Sequence, residues 1–162
     1  MKILAIDPGQ KKSGWVLFDT DYKKILDSGI DDNELLLKKI KLDYDVLCIE
    51  MIASYGMPVG QTTFETCLWV GRFIQQSVLS KIDYNLYYKK IDINPTICFS
   101  NKAKDSNIRQ SLIDMFTPSG GGKTPQVGTK SQPGPLYGIS SHKWAALAVA
   151  VTHSLKNKLI ER

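Results

Sequence analysis

Apolar residues run almost unbroken through Ile3-Leu4-Ala5-Ile6, Trp15-Val16-Leu17-Phe18 and Val46-Leu47-Cys48-Ile49. Short runs of that kind, bounded by turn residues, predict buried strands over 2–7, 15–18 and 45–50. Pro8-Gly9 and Asp19-Thr20-Asp21 are turn signals. A third strand over 24–29 then completes a meander, and another is expected over 86–91. Elsewhere the apolar spacing is helical. Glu34–Ile40 predicts a short helix capped by Asp31 or Asp32. Phe64, Leu68, Phe73 and Val78 mark a helix over 62–79, and Ile108, Leu112 and Ile113 one over 101–114. The last helix, over 142–158, carries the Ala-rich stripe Ala145–Val151, whose small side chains suit close packing on a sheet.

A strand, a helix and another apolar strand imply a parallel crossover, hence an α/β class. Residues 117–141 form the one long irregular segment, with Gly120-Gly121-Gly122, Gly128, Pro133-Gly134-Pro135 and Gly138. So long an excursion is expected to be functional or mobile. No internal repeat interrupts the chain, and 162 residues suit a single domain over 1–162.

Composition narrows the class. A hydrophobic fraction of 43% and a charged fraction of 23% are those of a globular protein. No apolar run approaches the ~20 residues of a membrane span, and Met1-Lys2 leads straight into a strand, so an intracellular, cytoplasmic location is expected. Cys48, Cys67 and Cys98 are scattered and read as reduced packing residues rather than zinc ligands. The net charge of +5 is consistent with a polyanionic partner.

Two of the predicted strands end in acids, Asp7 and Glu50. Adjacent carboxylates repel, and a divalent cation between them removes the repulsion. Solvated acids that never meet are the alternative. His142, at the start of the last helix after Ser140-Ser141, can reach outward to such a site, with Ser140 or Ser141 as the cap.

In this order, Ile6-Asp7-Pro8-Gly9, Ile49-Glu50 and the helix Ala146-Leu-Ala-Val-Ala-Val-Thr-His153 resemble the RuvC-type Holliday junction resolvases, above all their phage-encoded branch. The likeness covers nearly the whole chain. It implies a ribonuclease H-like fold, a five-stranded mixed sheet flanked by helices. The implied activity is endonucleolytic nicking of Holliday junctions or other branched DNA by a symmetric homodimer. The cofactor implied is Mg²⁺ or Mn²⁺, two per active site. Asp7 would bridge the cations, Glu50 would bind one, and His142 would bind or serve the other. Lys104, on a stretch resembling a lysine-led helix near the family's active site, would hold the scissile phosphate. Asp105 is a further candidate metal ligand, with helix capping as its simpler role.

One departure bears on activity. Cellular members carry two acids three residues apart on the last helix; the matching positions here are His142 and Ala145. Ala145 is either a natural small residue or the product of an Asp→Ala change. A catalytically impaired branched-DNA-binding protein is therefore the alternative to a nuclease.

Lys89, Lys90, Lys102, Arg109, Lys123 and Lys130 concentrate between residues 89 and 130 and are expected to contact phosphates. Tyr55 and Met57, beside glycines in the loop after Glu50, are candidate wedges for the junction. Phe64, Trp69 and Phe73 are the candidate dimer contacts. Two other readings are weaker. The stretch Gly120–Thr124 lacks the earlier glycine of a phosphate loop, since Thr117 stands there. An actin-like nucleotide-binding fold needs two lobes, and the chain has room for one.

Overall fold

The computed structural model describes residues 1–40 and 43–162. Five strands form one mixed sheet in the order β3-β2-β1-β4-β5. β1 (Lys2–Asp7), β2 (Lys12–Asp19) and β3 (Lys24–Asp32) make the antiparallel meander. β4 (Val46–Met51) and β5 (Asp83–Tyr88) run parallel to β1. The first crossover carries α1 (Asn33–Lys39) and the second α2 (Gln61–Leu79).

β1 is central, and its alternation feeds two cores. Ile3 and Ala5 face one side with Val16, Phe18, Cys48 and the Ala-rich α5 (Lys143–Lys156). Leu4 and Ile6 face the other with Trp15, Leu47, Ile49, Leu36 of α1 and Phe73 of α2. This explains the unbroken apolar run: side chains of alternate parity are both buried. The small residues of α5 let its backbone lie across β1, β2 and β4.

Several boundaries differ from expectation. β2 and β3 are longer than their apolar cores because backbone pairing continues through polar residues, as at Lys12↔Asp32 and Ser13↔Asp31. β5 ends at Tyr88, and residues 89–93 form a π-helical turn, where the Asp92 carboxylate accepts the Tyr88 N–H at 2.9 Å. This turn leads into α3 (Asn94–Cys98). α4 begins at Asp105, not 101, and runs to Asp114; the Lys104 N–H donates to Asn107 Oδ1 at 2.9 Å. Asp32 stands before α1 without a side-chain cap. Asp31 instead accepts from Trp15 Nε1 and pairs with Lys39.

Residues 117–141 are closed on themselves rather than loose. The Gly120 N–H donates to Pro125 O, Gly134 to Val127 O and Leu136 to Gln126 O, each at 3.0 Å or less. Leu136 is fully buried and Ile139 nearly so. Gly134 is required by sterics, since a Cβ there would lie 2.2 Å from Pro125 O. The segment carries neither the strand nor the helix of a phosphate loop.

Candidate active site

Asp7 is the last residue of β1, and the turn after it is pinned. Asn33 Nδ2 donates to Gly9 O at 2.8 Å, Ser13 Oγ donates to Asn33 Oδ1 at 2.6 Å, and Gly9 N–H donates to Ser13 Oγ at 3.2 Å. Ser13 and Asn33 are both buried, so this small polar network holds the turn that follows Asp7. Across the sheet Asp7 pairs with Gly14. A Cβ on Gly14 would sit 2.7 Å from the His142 backbone and Cβ. The missing side chain therefore lets the start of α5 descend onto β1.

There His142 Nδ1 lies 2.9 Å from Asp7 Oδ2. His142 itself occupies the cap position of α5, with helical φ and no side-chain cap bond. Ser140 and Ser141 do not cap the helix; Ser141 instead has a positive φ of 48°, turning the chain so that the imidazole faces the sheet.

Glu50 lies on β4 beside the end of β1. No hydrogen bond or ion pair holds its carboxylate among the described residues. Burial, and next the charge of Asp7, push its pKa up to about 7, against a smaller opposing pull from Lys89. Burial also raises the pKa of Asp7, partly offset by His142 and Lys89. The pair is thus two desolvated acids short of positive charge.

Asp7, Glu50 and His142 line one cleft of about 380 Å³. Its other charged walls are Lys89, Asp105 and Arg109. Lys89 Nζ pairs with Asp105 Oδ1 at 2.6 Å. The guanidinium of Arg109 lies over the ring of Trp144, 4.9 Å from its centroid. Ala145 lies on the wall one turn past His142 and contributes no oxygen. Among the described residues, no group of three or more His, Cys, Asp or Glu side chains is placed to hold a metal ion. The expected ligands therefore share a cleft without forming a ready-made ligand set.

Other expectations are redistributed. Lys104 is exposed and does not line the cleft; the lysine that does is Lys89. The reason is that α4 starts after Lys104, while the π turn carries Lys89 inward from the end of β5. Asp105 is the first helical residue and makes no cap bond; its carboxylate goes to Lys89. Lys89, Lys90 and Lys102 line a neighbouring groove of about 620 Å³. Lys123 and Lys130 are exposed on the closed loop and do not line the cleft.

Tyr55 is docked rather than free. Its hydroxyl accepts the Lys90 N–H at 3.1 Å, and Lys90 Nζ lies 4.4 Å from its ring centroid. Met57, 72% exposed, is the outward side chain of that loop. On α2, Phe73 is fully buried and Trp69 packs against it, whereas Phe64 and Leu68 are exposed. Phe73 thus belongs to the core and is not a partner contact. Sequence reasoning missed Gly14 and the inward role of Lys89; only Gly14's place opposite a strand-end acid could have signalled the first.

No protein-family model matches the chain, and no curated protein matches it. Solved structures do. The Thermus thermophilus RuvC structure aligns at a TM-score of 0.69 and 14% identity, over 98% of this chain and 96% of that one. T. thermophilus RuvC in complex with a Holliday junction substrate aligns at 0.70 and 13% identity, with the same coverage. Alignment over nearly the whole of both chains gives this chain the fold of those structures, a ribonuclease H-like five-stranded mixed sheet flanked by helices.

Proposed function

We propose that the chain binds branched DNA across the cleft at the ends of β1 and β4. The observation that carries this reading is the cleft itself: two partly buried acids beside Lys89 and Arg109, continuous through Lys89 with the basic groove of Lys90 and Lys102. Cations flanking an acid pair suit a phosphodiester backbone that also meets a metal ion. The likeness to a resolvase solved with a Holliday junction makes four-way junctions the favoured substrate. Met57 is the candidate wedge, and a homodimer would present its cleft twice.

Hydrolysis of the bound strand is the finer proposal, and the strained electrostatics of Asp7 and Glu50 favour it. Hard carboxylate oxygens without a counter-ion fit Mg²⁺ or Mn²⁺. Mg²⁺ commonly takes one or two carboxylates and completes its shell with water and substrate phosphate. Asp7 and Glu50 would hold the first ion, and Asp7 with His142 would border the second. The ions would supply Lewis-acid stabilisation of charge on the phosphate oxygens. His142, oriented through Nδ1 by Asp7, keeps its other ring nitrogen to take a proton from attacking water. Without an acid at Ala145 the centre is leaner than a four-acid site. A weak or absent nuclease activity on a junction-binding protein is the second reading.

The deciding experiment incubates labelled four-way junction and linear duplex with the protein in EDTA, Ca²⁺, Mg²⁺ and Mn²⁺. Junction-selective gel shifts with nicked product in Mg²⁺ or Mn²⁺ support the nuclease. Shifts without product support the binding protein. Equal affinity for both DNAs would remove the branched-DNA reading.

A further inference from the structure

The cleft contains three carboxylates, Asp7, Glu50 and Asp105, but only two permanent cations, Lys89 and Arg109. Arg109 is stacked over Trp144. Lys89 carries its charge on a long flexible stem that ends 2.6 Å from Asp105 Oδ1. Its partner is 82% exposed and Lys89 itself 40% exposed, so the pair exchanges with water at little cost. The backbone beneath it is fixed. Asp92 accepts the Tyr88 N–H and pairs with Lys156, and Tyr55 accepts the Lys90 N–H. These anchors hold the π turn in place and leave only the Lys89 side chain to move.

Resting on the proposal that Asp7 and Glu50 hold a divalent cation, we infer that Lys89 is the exchangeable cation of the cleft. Asp105 parks it while the acids lack a metal. When the metal enters, Lys89 leaves the acid cluster for a backbone phosphate of the bound strand. Lys89 thereby lowers metal affinity in the free protein and adds a phosphate contact in the complex. Asp105 is a positioning residue that acts through Lys89.

The test is Mn²⁺ binding followed by electron paramagnetic resonance at low salt, for wild type, Asp7→Asn, Lys89→Gln, Asp105→Asn and the Lys89→Gln/Asp105→Asn double variant. Lys89→Gln should bind Mn²⁺ roughly fivefold tighter, since a like charge is removed from the ion's surroundings. Asp105→Asn should bind more weakly, because the unparked lysine turns onto the acids. Asp105→Asn should weaken Mn²⁺ binding clearly more in the wild-type background than in Lys89→Gln, where only the loss of a nearby negative charge remains, the mark of one residue acting through the other. In Ca²⁺, Lys89→Gln should lower the salt slope of junction binding by about one, and in EDTA leave it unchanged. If Asp7→Asn abolishes Mn²⁺ binding but Lys89→Gln leaves it at the wild-type level, the role of Lys89 is refuted while the metal site stands. Equal weakening by Asp105→Asn in both backgrounds would show that Asp105 acts by its own charge or as a ligand and overturn the parking role. If the wild type takes up no Mn²⁺, the metal site fails and the inference falls with it.

Discussion

His142 Nδ1 and Asp7 Oδ2 meet at 2.9 Å although 135 residues separate them. The contact joins the end of the central strand to the first turn of the helix that covers it. It occupies one Asp7 carboxylate oxygen, and among the described residues the other has no hydrogen-bond partner.

Gly14→Ala should break this relationship without touching either partner. The added Cβ would collide with His142 backbone at 2.7 Å, so the helix start must shift. Expected are a loss of roughly 1–3 kcal/mol in stability and a weaker His142 signal shift on titrating in metal. Denaturant melts and imidazole resonances in NMR spectra check both; an unchanged imidazole environment would show that the glycine is not what seats His142.

Asp7→Asn should keep junction binding within a few-fold and reduce any Mg²⁺- or Mn²⁺-dependent nicking by at least ~100-fold. Gel shifts in Ca²⁺ and single-turnover cleavage measure the two separately. Equal loss of both would mark Asp7 as a structural residue.

Glu50 predicts an unusual pH dependence. Its folded pKa, about 7, lies above its ordinary value of 4.5. The folded state therefore holds a proton that the unfolded state has lost, and stability should fall as pH rises from about 4.5 to 7. The raised pKa of Asp7 acts in the same direction. The loss is of order 2–3 kcal/mol. Glu50→Gln should flatten this slope in urea melts run in EDTA between pH 5 and 8. A wild-type profile already flat over that window would contradict the buried acid pair.

Ala145→Asp places a carboxylate on the cleft wall one turn from His142. Mg²⁺ affinity should rise, by roughly tenfold if the new oxygen reaches the ion, and isothermal titration reads it directly. No gain would show that the ion sits too far from α5.

Met57→Ala should weaken binding to a four-way junction severalfold and leave linear duplex unaffected, because Met57 projects from its loop while Tyr55 is held by Lys90. Competition gel shifts decide it; parallel losses on both DNAs would make Met57 a general contact.

The sheet and its two acids were legible because burial on both faces leaves a continuous apolar run, against which a strand-end carboxylate stands out. The closing helix was legible through its alanines. What escaped were features set by backbone geometry rather than side-chain pattern. The start of α4 depends on Asn107 accepting the Lys104 N–H, and with the helix beginning four residues later than expected it is Lys89, not Lys104, that lines the cleft. Tyr55 looked free because its anchor is a main-chain N–H in another segment. Phe73 and Phe64 carry the same helical spacing, and only their register on α2 sends one inward and the other to solvent.

α5 lies against β1, β2 and β4 at once, and its residues from Ala146 to Ser154 are buried. Amides beneath it can exchange with deuterium only when the whole domain opens, whereas the loop carrying Met57 can open alone. The strand that ends in Asp7 thus belongs to the slowest-exchanging part of the molecule and the Met57 loop to a faster one: a rigid anvil beside a pliable finger.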